Sequence, residues 1–332
     1  MTFRWGILGA SKFAAGHMGS AIHAARGNTL AALATSSAEK AAPFVEIAPD
    51  IQVFEDYEAL LASDAVDAVY IPLPNHLHVP WTTKALEAGK HVLCEKPIAL
   101  HADQINDVIA ARDATGRHAA EALMIAHHSQ FNCARDFVRS GAIGTLRHVD
   151  AVFTFNNAGD VTNIRHDPSK GGGGLYDIGV YTCSAARIVS GQEPEQITLA
   201  NLEREHGVDV YAQFAAQFPS FGMSSMVSMR LSKRQEVVFH GDAGVLKLTC
   251  PFNANVFDLA EVSLEDASGQ RTLERWPAEN HYIKQVENFA ATAQTGADYP
   301  WPLEQSIGTQ RMLDMIFEAG GGHPAQLVGE TT

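Results

Sequence analysis

The grammar of the first third of the chain constrains the fold more than any other feature. Short apolar runs there read as strands at 3–8, 29–35, 53–54, 68–71, 91–94 and 118–124. Amphipathic stretches between them read as helices at 13–26, 38–48, 57–62, 79–88 and 102–115. Strands separated by helices line up in parallel, because each crossover returns the chain to the same end of the sheet. The expectation for residues 1–125 is an α/β unit with a doubly wound parallel sheet and helices on both faces.

The pattern changes after about residue 125, with no Pro/Gly/Ser linker to mark the boundary. A helix at 130–140 and a strand at 146–155 precede the glycine run 171–174 and a helix at about 175–190. Strands then follow without intervening helices near 195–205, 208–218, 222–231, 235–240, 245–249 and 261–275, and Gly241-Asp242-Ala243-Gly244 suits a hairpin turn. Helical periodicity returns at 282–294 and 303–319. Residues 126–332 therefore read as an α+β domain on a large, open, mainly antiparallel sheet, with the last helix packing back on the first domain.

A length of 332 residues with 46% hydrophobic content supports two cores. The formal charge of −14 opposes binding to nucleic acid. No run approaches a membrane span, and the N-terminal residues lead into a strand without the charged and apolar segments of a leader. A cytoplasmic protein is expected. Its four cysteines, Cys94, Cys133, Cys183 and Cys250, are widely spaced and expected to be buried free thiols.

Gly9-Ala10-Ser11-Lys12-Phe13-Ala14 lies where the first strand meets the first helix. In a dinucleotide-binding turn the first glycine permits the bend, the second lets backbone approach the pyrophosphate, and the third small residue lets helix and strand pack closely. Gly9 and Ala14 hold the first and third places, and Ser11 replaces the second glycine. A serine still offers backbone and hydroxyl donors to a phosphate. The second strand ends in Thr35-Ser36-Ser37, followed by Lys40. A carboxylate there would bind the ribose hydroxyls of NAD, whereas hydroxyls and a lysine suit the 2′-phosphate of NADP. NADP is expected over NAD. The same serines also suit a helix N-cap.

Three further segments carry a resemblance: Pro74-Asn75-His76-Leu77-His78, Glu95-Lys96-Pro97 at a strand end, and Gly171-Gly172-Gly173-Gly174-Leu175-Tyr176-Asp177-Ile178-Gly179-Val180-Tyr181. With the glycine turn, they closely resemble the glucose–fructose oxidoreductase/inositol dehydrogenase (Gfo/Idh/MocA) family over nearly the whole chain. That resemblance implies an N-terminal Rossmann domain and hydride transfer between a nicotinamide and a polyhydroxylated small molecule. It also implies that Lys96 grips the substrate oxygen, often with a cis bond to Pro97. Many relatives carry histidine where this chain has Tyr181; the tyrosine resembles the branch that includes glucose–fructose oxidoreductase and the dihydrodiol and aldose dehydrogenases.

A phenol titrates near a pKa of about 10, so a cation must lie close for Tyr181 to act as a base at neutral pH; Lys96 is the expected one. Asp177, one helical turn earlier, would share a face with Tyr181 and anchor a hydroxyl or orient Lys96. The resemblance further brings Asn75, His78, Glu95 and Glu121 near the nicotinamide, and Arg165 and His128 to the substrate. His127-His128-Ser129-Gln130 lacks the proline of the family's pattern, which leaves that turn open. The fifteen histidines show no ligand spacing with the cysteines, so no metal is expected.

Oxidation of an aldose at C1 is the leading expectation. Reduction of an anhydro-keto sugar and oxidation of a trans-dihydrodiol stand beside it. A glycosidase that recycles its cofactor and a non-catalytic sugar sensor are the readings of another class. A homodimer or higher homo-oligomer through the C-terminal sheet is expected from the resemblance.

Overall fold

The computed structural model of the chain describes residues 2–324. It divides into two units, one of residues up to His127 together with His281–Ile307, the other of His128–Asn280 and the residues from Gly308 onward.

In the first unit the strands are β1 (Phe3–Leu8), β2 (Asn28–Ala34), β3 (Gln52–Phe54), β4 (Ala68–Ile71), β5 (His91–Cys94) and β6 (Ala119–Glu121). They form one sheet in the order β3-β2-β1-β4-β5-β6, and every neighbouring pair is parallel. The crossovers carry α1 (Gly19–Ala24), α2 (Ala38–Ile47), α3 (Tyr57–Ala62), α4 (His78–Glu87) and α5 (Gln104–Thr115). Covered on both faces, the central strand β4 is apolar throughout and all four of its residues are buried. The strand order reverses between β1 and β4, and the crevice beyond the carboxyl ends of strands at such a point is where ligands bind in this architecture.

The doubly wound sheet is as expected, with one local difference. The single helix expected at 13–26 begins instead as a π-turn, Ala14–Met18, before α1. Gly16 and Gly19 weaken the α-helical register there, and a methyl on Gly19 would meet the Ala14 carbonyl at 3.1 Å.

The second unit holds α6 (Ser129–Arg139), β7 (Leu146–Asn156), α7 (Val180–Ser190) and the strands β8 (Gln196–Glu205), β9 (Val208–Gln217), β10 (Gly222–Ser228), β11 (Arg230–Gly241), β12 (Gly244–Leu248), β13 (Ala260–Asp266) and β14 (Arg271–Trp276). Their order is β14-β13-β12-β11-β7-β10-β9-β8. Only β7 and β10 pair in parallel; every other junction is antiparallel. The turn at 241–244 closes the β11–β12 hairpin, as its sequence implies.

The chain returns to the first unit at α8 (His281–Thr295), earlier than the last helix, α9 (Leu303–Ala319). Phe289 on α8 packs at 5.0 Å from the ring of the fully buried Trp5, and the Glu287 carboxylate accepts from the Arg26 backbone N–H at 3.0 Å. Leu303 joins the apolar cluster of the first unit that holds Ile71, Val92, Cys94 and Ile105, so the first turn of α9 also belongs to that unit. Periodicity along a sequence shows that such helices exist but not which core they complete. The four cysteines are free, and Cys133 is only partly buried.

Candidate active site

On the first unit, Gly9 has φ +99°, a backbone that disfavours any side chain, and a methyl there would meet Leu73 at 3.0 Å and the Tyr57 hydroxyl at 3.2 Å. The Ser11 hydroxyl oxygen accepts from the Ala14 N–H at 3.0 Å, so the residue standing for the second glycine caps the π-turn. Ala10 is half-buried, while Lys12 and Phe13 are exposed. Phe13 and His17 both contact the ring of Tyr282 on α8, His17 stacking at 5.5 Å. Sequence reasoning missed Tyr282, which reaches this turn from the far end of the chain.

At the end of β2, Ser37 accepts from the Lys40 N–H at 3.2 Å, and Thr35 accepts from the Ser37 N–H at 3.3 Å. Ser37 thus caps α2. Ser36 and Lys40 remain exposed at the strand end, and the nearby Glu39 is also exposed. Residues 35–37 at the strand end include no carboxylate.

The segment after β5 is tied down from three directions. The Lys96–Pro97 peptide is cis. Glu95 accepts from the Tyr70 hydroxyl at 2.6 Å and from the Lys96 N–H at 3.2 Å. Burial raises the Glu95 carboxyl pKa against the opposing pull of the Lys96 charge and the Tyr70 donor. Burial and then Glu95 push Tyr70 well above its ordinary value, so the phenol keeps its proton and donates. Glu121 accepts from the Ile98 N–H at 3.0 Å and the Ser306 hydroxyl at 2.8 Å. It is a buried anchor for the strand-end turn, its pKa raised chiefly by that burial.

His78 lies nearby and is fully buried, with Nδ1 at 2.7 Å from the Pro97 carbonyl and Nε2 at 2.7 Å from the Leu73 carbonyl. Burial holds its pKa down to about 4, although both carbonyls pull the other way. The ring is thus a strut between the loop after β4 and the lysine turn. Pro74 and Asn75 open the short 3-10 turn ahead of α4 and are half-buried.

On the second unit the structure brings Arg165, Asp177 and Tyr181 together. Arg165 Nε donates to Asp177 at 2.6 Å, and the guanidinium is held above its usual pKa first by Asp177, with Tyr181 contributing as well. Asp177 sits in a π-turn, Leu175–Gly179, that leads directly into α7. The sequence implied a continuous α-helix at 175–190, and the wider turn again falls on a glycine-rich stretch. Tyr181 is 6% exposed, its ring against Phe153 at 5.8 Å and Phe252 at 5.9 Å.

The glycine run is required by close approach. A methyl on Gly172 would lie 2.6 Å from the Arg165 carbonyl, and one on Gly173 (φ +124°) would lie 2.2 Å from the Asp209 carboxylate. Gly173 N–H donates to the Arg165 carbonyl at 3.0 Å, fastening the arginine's loop to the turn that bears its partner. Asp209 was missed by sequence reasoning; its only signal is a lone carboxylate in the apolar run Val208-Asp209-Val210. His128 is fully buried as the N-cap of α6, its Nδ1 accepting from the Gln130 N–H at 3.2 Å and lying 3.5 Å from Glu279.

Residues 3–122 match the model of the oxidoreductase family with an NAD-binding Rossmann fold, and residues 131–247 match the GFO/IDH/MocA C-terminal domain. The chain is 30% identical to D-xylose 1-dehydrogenase (NADP(+)) 2 of Haloferax volcanii, over 95% of this chain and 96% of that one. It is 30% identical to 1,5-anhydro-D-fructose reductase of Ensifer adhaerens, covering 92% and 94%. Among solved structures it is similar to KijD10, a 3-ketoreductase from Actinomadura kijaniata in complex with NADP and TDP-benzene, with TM-score 0.89, 28% identity and coverage of 96% and 98%.

Proposed function

The chain belongs to the GFO/IDH/MocA family of oxidoreductases, and from that premise we propose that it is an NADP-dependent dehydrogenase oxidising an aldose at C1 to a lactone. The observation that carries this reading is the Arg165–Asp177–Tyr181 cluster: a phenol at the start of a buried helix, with a guanidinium in its field and a carboxylate beside it.

The first unit fits the dinucleotide. Gly9, Ala10, Ser11, Lys12 and Phe13 form the pyrophosphate turn, with backbone donors at a helix start. Thr35, Ser36, Ser37 and Lys40 offer hydroxyls and a cation, with no carboxylate, to a 2′-phosphate. The D-xylose dehydrogenase and the ketoreductase structure, both named with NADP, support that choice. Pro74, Asn75 and Glu95 complete the nicotinamide end, while His78 and Glu121 hold the lysine turn in shape.

When bound, the nicotinamide supplies the hydride acceptor. Tyr181 takes the C1 hydroxyl proton as the C1–H bond breaks, so an alcohol carbon becomes a carbonyl carbon with the loss of one proton and one hydride. Arg165 stabilises negative charge on the phenol oxygen, a part the sequence alone gave to Lys96. Lys96, on the first unit, offers its ammonium group to a substrate oxygen, and Asp177, fixed by Arg165, accepts from a sugar hydroxyl.

Run in reverse, the same residues reduce a keto sugar. Similarity to a 3-ketoreductase and to an anhydrofructose reductase favours that second reading. Replacing Tyr181 with Phe should lower kcat by about 10²–10⁴-fold, and Lys96→Ala should do the same, while both still bind NADP as measured by quenching of tryptophan fluorescence. Turnover within twofold of wild type in either variant removes that residue from the mechanism.

A further inference from the structure

Asp209 is a fully buried carboxylate on β9, remote in sequence from every motif above. Its Oδ2 accepts from the Leu175 N–H at 2.7 Å, and the Gly174 N–H contributes to the same carboxylate. Its Oδ1 lies where a methyl on Gly173 would stand, and has no hydrogen-bond partner among the described residues. The N–H of Leu175, the first residue of the π-turn carrying Asp177, and that of Gly174 just before it thus point at one acceptor, and the Asp177 N–H, two residues further on, closes on the Gly173 carbonyl at 3.1 Å.

We propose that Asp209 is a positioning residue for the acid–base cluster: its carboxylate sets the start of the π-turn, and through it the placement of Asp177 and Tyr181. The inference rests on the functional reading above for what the cluster does. For where the turn is fixed, it stands on geometry alone.

A protonated Asp209 has one oxygen that accepts less well from the N–H groups of Gly174 and Leu175, so the turn is held best when the group is ionised. Burial lifts this carboxyl to about 7, against the opposing pull of the Leu175 N–H, its own N–H, Arg204 and the Gly174 N–H. Among the described residues, the charged and titratable groups that face it are Arg204 and Tyr176. Arg204 is opposite on β8, its guanidinium donating to the carbonyls of Gly320 at 2.9 Å and Gly322 at 2.8 Å. From the π-turn comes Tyr176, whose pKa is raised by burial and then by Asp314 and Asp209, and whose hydroxyl lies 3.1 Å from His323 Nδ1. His323 in turn lies 3.8 Å from Asp314.

The sign follows from the shift. Ionised Asp209 positions the turn above about pH 7, and the positioning is lost as pH falls through that value. For stability the effect is opposite. A carboxyl whose pKa is higher folded than unfolded stabilises the fold when protonated, and that contribution fades as pH rises towards 7. A merely structural role would therefore show in melting temperature, and a positioning role in turnover.

The test is Asp209→Asn, assayed with D-xylose at saturating NADP across this pH range. The expected result is a kcat at least tenfold below wild type at pH 8, NADP affinity within twofold, and loss of the limb in kcat that falls below about pH 7. A kcat within twofold of wild type with that limb intact overturns the proposal. Hydrogen–deuterium exchange of wild-type residues 171–181 tests it without any variant or substrate. Corrected for the intrinsic rate, exchange should be about tenfold slower above pH 7 than below, and protection that does not change with pH also overturns it. If wild type oxidises no sugar, the functional reading falls while the exchange result still decides the role of Asp209.

Discussion

Residue types decide the cofactor and the chemistry. The end of β2 presents Thr35, Ser36 and Ser37 where an NAD site would carry a carboxylate, and this was legible directly from the sequence because it depends on residue identity at one position. A carboxylate introduced there would repel a 2′-phosphate and accept from ribose hydroxyls. Ser36→Asp should therefore raise the ratio of kcat/KM with NAD to that with NADP by tenfold or more. An unchanged ratio would show that the preference is set elsewhere. The roles of His78 and Glu121 were not legible in this way. Both were expected near the nicotinamide, yet both spend their polar atoms on Pro97, Leu73, Ile98 and Ser306 within the first unit. Motif identity places a side chain near a site without saying which of its atoms are already taken.

At the scale of elements, strands and helices were read well, because apolar periodicity survives folding. Two π-turns were not, at Ala14–Met18 and Leu175–Gly179, since one extra residue in a turn leaves that periodicity nearly unchanged. Both open helices at candidate ligand sites, and the second carries Asp177. Its entry depends on Gly173, where the left-handed backbone and the Asp209 carboxylate both exclude a side chain. Gly173→Ala should cost about 1–3 kcal/mol in backbone strain alone and more from the contact with Asp209. Reduced soluble yield or a melting temperature several degrees lower is expected by calorimetry, with the remaining folded protein impaired in kcat. A variant of wild-type stability and turnover would mean that this loop is not held as described.

Over the whole molecule, the parallel sheet and the mainly antiparallel sheet follow from the sequence, but the order of their strands and the membership of α8 do not. Helix α8 completes the core around Trp5 although about 150 residues separate it from the rest of the first unit, and only tertiary packing can show that. Among the described residues no helix is long and apolar enough to cross a membrane. The most direct measurement is NADPH absorbance when the protein is mixed with NADP and each of D-xylose, D-glucose, a polyol and a trans-dihydrodiol. The account predicts steady NADPH formation, fastest with an aldose and matched by an equal amount of lactone or aldonic acid. No NADPH from any of them would contradict it.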